Sequence, residues 1–238
     1  GFVVVGGVDL DRSQTVEVVR DFAKKLRNAD VGMFFYSGLG LQVQGATYLV
    51  PIDAQLADET ALEFSLVRVD AVMKQMDRNT KTNLVFLDAC RDNPIPAATG
   101  GGTRSLGSTR GLARVSAPLG MLVSYSADAG QVANDGLFTE ILSANLAQPS
   151  LSVMEVFAKT REEVNAVSRE RNSADARYNV QLPAEYNKLG LSGIKFVFND
   201  PQGQAPPAAT TTTTNQPMAL SVPASPNAVR SLPTDTFE

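Results

Sequence analysis

The chain reads as an α/β protein, a mostly parallel sheet flanked by helices. Three observations predict this. Short runs of β-branched and aromatic residues alternate with stretches of helical periodicity. The run Leu84-Val85-Phe86-Leu87 is apolar at every position, as expected of a strand covered on both faces in a parallel sheet. Of the 238 residues, 43% are hydrophobic and 19% charged, enough apolar material for one good-sized core.

Taken in order, Gly1 to Gly7 is β-rich and predicts a strand. It lacks the basic leader of a signal peptide and runs straight into Asp9 and Asp11. Asp11, with Gln14 three residues on, predicts a capped helix start, and Val16, Val19, Phe22, Ala23 and Leu26 repeat at helical spacing through Asn28. Val31 to Tyr36 predicts a strand ended by Ser37-Gly38-Leu39-Gly40, and Tyr48-Leu49-Val50 a shorter one stopped by Pro51. Val69, Val72, Met73 and Met76 share one helical face. After the Leu84 strand, Arg91 to Ala117 breaks into Gly, Ser, Thr and Pro with Arg104, Arg110 and Arg114, and predicts a long loop. Met121 to Tyr125 predicts a strand, Phe138 to Ala147 and Val153 to Ser168 helices, and Ile194 to Phe198 a last strand. The globular domain is expected over 1–199. From 200 to 238 periodicity vanishes into Pro, Ala, Gln and the Thr210 to Thr214 run, which predicts a disordered low-complexity tail.

Composition narrows function. A net charge of −4 and a pI near 5.0 oppose the basic footprint that nucleic acid or an anionic membrane requires. No stretch approaches about 20 uninterrupted apolar residues, so no spanning helix is expected. One cysteine excludes an internal disulfide and thiolate-rich metal sites, and the absence of histidine removes the commonest transition-metal ligand. Chains without disulfides occur in every compartment, which leaves location open.

The lone cysteine, Cys90, follows Asp88-Ala89 at the carboxyl end of the Leu84 strand, where parallel sheets gather their chemistry. A thiol attacks as the thiolate and ordinarily relies on a base. Taken alone, a cysteine ending an apolar run is more often a buried small hydrophobe. Asp88 alone is equally an Asp bonding its own turn. Gly6-Gly7 makes no dinucleotide fingerprint, and no Gly-Lys-Ser/Thr closes the glycine-rich loop into a phosphate cradle.

Three ordered blocks change the weighing. Phe35-Tyr36-Ser37-Gly38-Leu39-Gly40-Leu41-Gln42, Tyr48-Leu49-Val50-Pro51-Ile52-Asp53-Ala54 and Phe86-Leu87-Asp88-Ala89-Cys90-Arg91-Asp92-Asn93-Pro94 follow one another. Together they resemble the caspase and metacaspase clan of cysteine peptidases, in particular its bacterial caspase-like members. Caspases carry Ala-Cys followed by Arg, Gln or Gly, with the histidine about 50 residues upstream. The resemblance covers roughly Gly1 to Phe198 and implies a caspase-like sandwich whose first family strand and helix are absent from this chain.

The resemblance assigns Cys90 the nucleophile position and Leu39 the histidine position; separately, Gly38 and Gly40 would leave backbone amides exposed near the loop, and Gly40 is the candidate backbone donor. It further implies that Asp88, and with it Asp128 and Asp135, line a pocket for a basic side chain, so that the partner is a peptide or protein carrying Arg or Lys. The stretch 94–117 falls where caspases have their intersubunit linker, and Arg104, Arg110 and Arg114 would suit autocleavage; a plain solvated loop explains them equally. No cofactor is expected from the residues, and calcium enters only through the resemblance. Leucine can neither take a proton from a thiol nor return one to a leaving amine. Three readings follow: a catalytically impaired peptidase homologue acting as a binding or regulatory module, an active endopeptidase cleaving after Arg or Lys, and an interaction domain without a pocket.

Overall fold

Among the described residues, strand and helix periodicities alternate to build a six-stranded sheet with helices on both faces. The architecture is seen in a computed structural model that describes residues 2–43, 46–55, 64–90, 117–128, 131 and 133–201. All of these fall within one unit, Gly1–Ala208. The linker-position loop, apart from Ala117, and the tail beyond residue 201 lie outside the described residues.

Among the described residues the elements are α1 (Arg12–Leu26), β1 (Val31–Val43), β2 (Ala46–Leu49), β3 (Val67–Arg68), α2 (Val69–Asn79), β4 (Thr82–Cys90), β5 (Met121–Tyr125), α3 (Leu137–Leu146), α4 (Val153–Ala174), β6 (Ala184–Asn187) and the single turn α5 (Leu191–Ile194). The strand order is β3-β2-β1-β4-β5-β6. At the centre β1, β4 and β5 run parallel, while β2, β3 and β6 are added antiparallel at the flanks.

The helix starts follow from their caps. Asp11 accepts from the Gln14 amide at 2.8 Å and the Gln14 side chain accepts from the Asp11 amide at 3.0 Å, satisfying two of the free N–H groups at the start of α1. A second box, Ser152 with Glu155, opens α4. Donation from the Ser152 side chain, and then from its backbone, holds the Glu155 carboxyl below the usual carboxylate range.

Two cores form because adjacent side chains of a strand point to opposite faces. Val85, Leu87, Met121, Val123 and Tyr125 meet Val69, Val72, Met73 and Met76 of α2 and the apolar stripe of α1. Leu84, Phe86 and Leu122 meet Leu137, Phe138 and Leu142 of α3 and Val153, Val156, Phe157 and Val164 of α4. The all-apolar reading of the Leu84 strand holds because both faces are covered.

Three sequence expectations are corrected. Residues 2–7 form no strand: among the described residues nothing pairs with their backbone, Val3 and Val4 are 74% and 87% exposed, and Phe2 packs instead on Phe196 and Phe198. The strand from Val31 does not stop at Tyr36 but continues to Val43, because Gly40 to Val43 pair with Leu49 to Ala46 in a hairpin. The last strand is Ala184–Asn187 rather than Ile194 to Phe198. Tyr186 reaches Tyr125 edge-on at 6.0 Å while Phe196 and Phe198 pack onto the second core, and Val197 keeps only an isolated bridge to Ser152.

Gly120, in the turn into β5, has φ 82°, and a Cβ there would collide with the Lys81 carbonyl oxygen. Its backbone also accepts from Asn83 and donates to Lys188, each at 2.8 Å. Gly120→Ala is therefore expected to cost about 2–3 kcal/mol, combining a left-handed conformation with a backbone clash. Chemical denaturation should show a lowered midpoint with unchanged slope.

Candidate active site

The carboxyl ends of β1, β4 and β5 share one edge of the sheet. Parallel pairing runs from Val31 opposite Thr82 to Leu39 opposite Cys90, so the two motif positions are direct register partners on neighbouring strands. For Cys90 the backbone placement is described; its side chain lies outside the described residues. Leu39 is 43% exposed at this edge. Gly40 is buried in the β1–β2 ladder opposite Leu49.

The path of β1 past the site depends on Gly38 and Tyr36. Gly38 has φ 156°, and a Cβ on it would meet the Tyr36 hydroxyl at 2.9 Å. That hydroxyl donates to the Leu39 carbonyl at 2.8 Å, with the Val50 carbonyl at 3.3 Å. Burial pushes the Tyr36 phenol above its ordinary pKa, which keeps it a donor. The Val50 amide donates to the same Leu39 carbonyl at 3.0 Å. Leu39 is thus held by its backbone at a fixed place beside the end of β4, and its side chain carries no group that moves a proton.

Asp88 lies opposite Ser37 in the same register and is 7% exposed. Thr139 of α3 donates its hydroxyl to Asp88 Oδ2 at 2.5 Å. A buried carboxylate needs such partners to offset its lost hydration. Asp128 follows β5 and is exposed, with its carbonyl accepting from Gln131 at 3.1 Å. Asp135, also exposed, precedes Gly136, the N-cap of α3, which has φ 70°. The structure therefore brings Leu39 and Cys90 into register, seats Asp88 two residues before Cys90, and puts Asp128 and Asp135 at opposite ends of the β5–α3 connection.

A match to a family model for the caspase domain spans residues 1–190. The chain belongs to the caspase domain family. A search of curated proteins returned no match. That family is one of cysteine peptidases, and in this chain the two motif positions, Leu39 on β1 and Cys90 at the end of β4, lie side by side in register. Calcium, which the resemblance raises, finds no group of three or more carboxylates placed to hold it among the described residues. No described helix is long and apolar enough to cross a membrane.

Sequence reasoning missed Tyr36 and Thr139. Tyr36 stands inside the first motif block, which gives it no role of its own. Thr139 lies within the amphipathic run of α3, where nothing in the spacing marks it as a partner for a carboxylate 51 positions away.

Proposed function

We propose that this caspase domain is catalytically impaired and acts as a binding or regulatory module for peptides or proteins that present Arg or Lys. The observation that carries this reading is Leu39, register partner of Cys90 in a chain without histidine. A peptidase of this type needs a group to take the thiol proton and later protonate the leaving amine. Such help is worth about 10²–10⁴-fold, and losing one member of a cooperative set costs up to about 10⁶-fold.

The preference for a basic side chain is supported by Asp88, a buried carboxylate at the edge where a substrate would lie. A carboxylate pairs with a guanidinium through short, charge-assisted hydrogen bonds. Asp128 and Asp135 add negative charge around the same edge.

The test uses purified protein with Arg- and Lys-terminated fluorogenic peptides, with and without calcium. Turnover is expected to be indistinguishable from that of Cys90→Ala. Hydrolysis that disappears on Cys90→Ala would overturn the impaired reading in favour of an active endopeptidase.

A further inference from the structure

Between β5 and α3 the chain runs from Ser126 to Gly136, with Ser126 and Asn134 as the two ends of its loop. Asp128 stands two residues inside one end, and Asp135 one residue beyond the other. Both ends are held by a single side chain. Gln181 is fully buried. Its Nε2 donates to the Ser126 carbonyl at 2.7 Å, and its Oε1 accepts from the Asn134 backbone amide at 2.8 Å and from Asn134 Nδ2 at 3.1 Å.

Gln181 is itself fixed from behind. Its backbone amide donates to Ser168 Oγ of α4 at 2.9 Å, and its backbone carbonyl accepts from Asn165 Nδ2 and Ser168 Oγ, each at 3.2 Å. Asn134 is further tied to Asn179, donating to its carbonyl at 2.7 Å and accepting from its amide at 2.9 Å. Gln131 adds one more bond, accepting from the Leu182 amide at 3.3 Å. A carboxamide is required here because one end of the connection offers a carbonyl and the other an N–H. Glutamate, methionine or leucine cannot serve both. A buried polar network with its members engaged is rigid, and loses that rigidity when one member is removed.

We propose that Gln181 is the positioning residue of the site's acidic connection. By closing Ser126 against Asn134 it fixes where Asp128 and Asp135 stand relative to Asp88 on the neighbouring strand, and so sets the preference for a basic side chain. The inference rests on the reading above that the site takes Arg or Lys.

The test compares the full chain with its Gln181→Met variant, which preserves length and removes all three side-chain hydrogen bonds. Two fluorescein-labelled peptides serve as probes, one ending in Arg and one identical but for a terminal norleucine. In the variant, hydrogen exchange at the amides of Asp128, Gln131 and Ala133 should speed up about tenfold or more, the order expected when neutral hydrogen bonds are lost. Exchange in β4 and α4 should be unchanged. The Arg-over-norleucine preference should fall about tenfold with norleucine binding unaltered.

A merely structural role would weaken both peptides together and raise exchange across α4. That pattern, or unchanged exchange in the connection, overturns the proposal. Should Gln181→Met fail to fold, Asn134→Ala reads the same clamp from its other side, with faster exchange at Gln131 and Ala133 expected and no change overturning it. If the parent protein does not distinguish the two peptides, the basic-side-chain reading fails, and the exchange result alone then decides the clamp.

Discussion

Replacing Leu39 with histidine is expected to make the protein hydrolyse Arg- and Lys-terminated fluorogenic peptides at least about 10²-fold faster than the parent chain. The reason is geometric. Residue 39 is already the register partner of Cys90, and its backbone is held by the Tyr36 hydroxyl and the Val50 amide, so the substitution changes the chemistry of the position without moving it. Because Leu39 is 43% exposed, burial will not push an imidazole there far from its ordinary pKa near 6.5. The neutral imidazole is the base, so the rate of Leu39→His should rise with pH through that region and level off above it. Adding Cys90→Ala should abolish the gain. A folded Leu39→His protein with no gain over the parent would show that Leu39 is not what limits this site.

Phe86→Ala should produce the largest loss of stability, about 3–5 kcal/mol. Phe86 is completely buried on β4 and stacks on Phe157 of α4, ring centroids 5.2 Å apart and planes within 6°. Removing the ring leaves a cavity between a central strand and a long helix, two elements that cannot collapse toward each other without disturbing their other contacts. Against a typical total of about 5–15 kcal/mol this is a large share, and thermal unfolding should show a drop on the order of 10 °C. Phe35 provides the control. It is the register partner of Phe86 on β1, yet 41% exposed, and Phe35→Ala should cost much less. A comparable loss for the two variants would contradict the burial argument.

Where local chemistry decides an element, the sequence was sufficient. Asp11 and Gln14 specify the start of α1 through bonds only three residues long, and the Val69, Val72, Met73, Met76 face specifies α2. The box that starts α4 had the same signature in Ser152 and Glu155 and was legible too, though the reading above began that helix from its apolar residues alone. The candidate site was legible only as motif positions. Leu39 and Cys90 come from motifs, and parallel pairing joined them.

Where long-range pairing decides, local patterns misled. Ser37-Gly38-Leu39-Gly40 has the composition of a turn, yet it is strand, because the antiparallel partner Ala46–Leu49 extends β1 and Gly38 takes a φ of 156° that leaves room for Tyr36. Ala184-Glu185-Tyr186-Asn187 has little strand character and still forms β6, since the free edge of β5 recruits its backbone. Phe2-Val3-Val4-Val5 has strong strand character and forms none, since among the described residues no backbone lies alongside to pair with it.

By itself, the sequence determined the α/β class, the caspase family and the identity of the two residues that become register partners, Leu39 within β1 and Cys90 at the end of β4, one a thiol and the other without a proton to exchange. These properties are written in side-chain type and short spacing. The tertiary structure alone decided that Asp88 is answered by Thr139, that Gln181 spans Ser126 and Asn134, and that of two paired phenylalanines one is core and the other half exposed. Each of these depends on which backbones the sheet brings side by side and which faces α3 and α4 cover, a global outcome that no window of neighbouring residues contains.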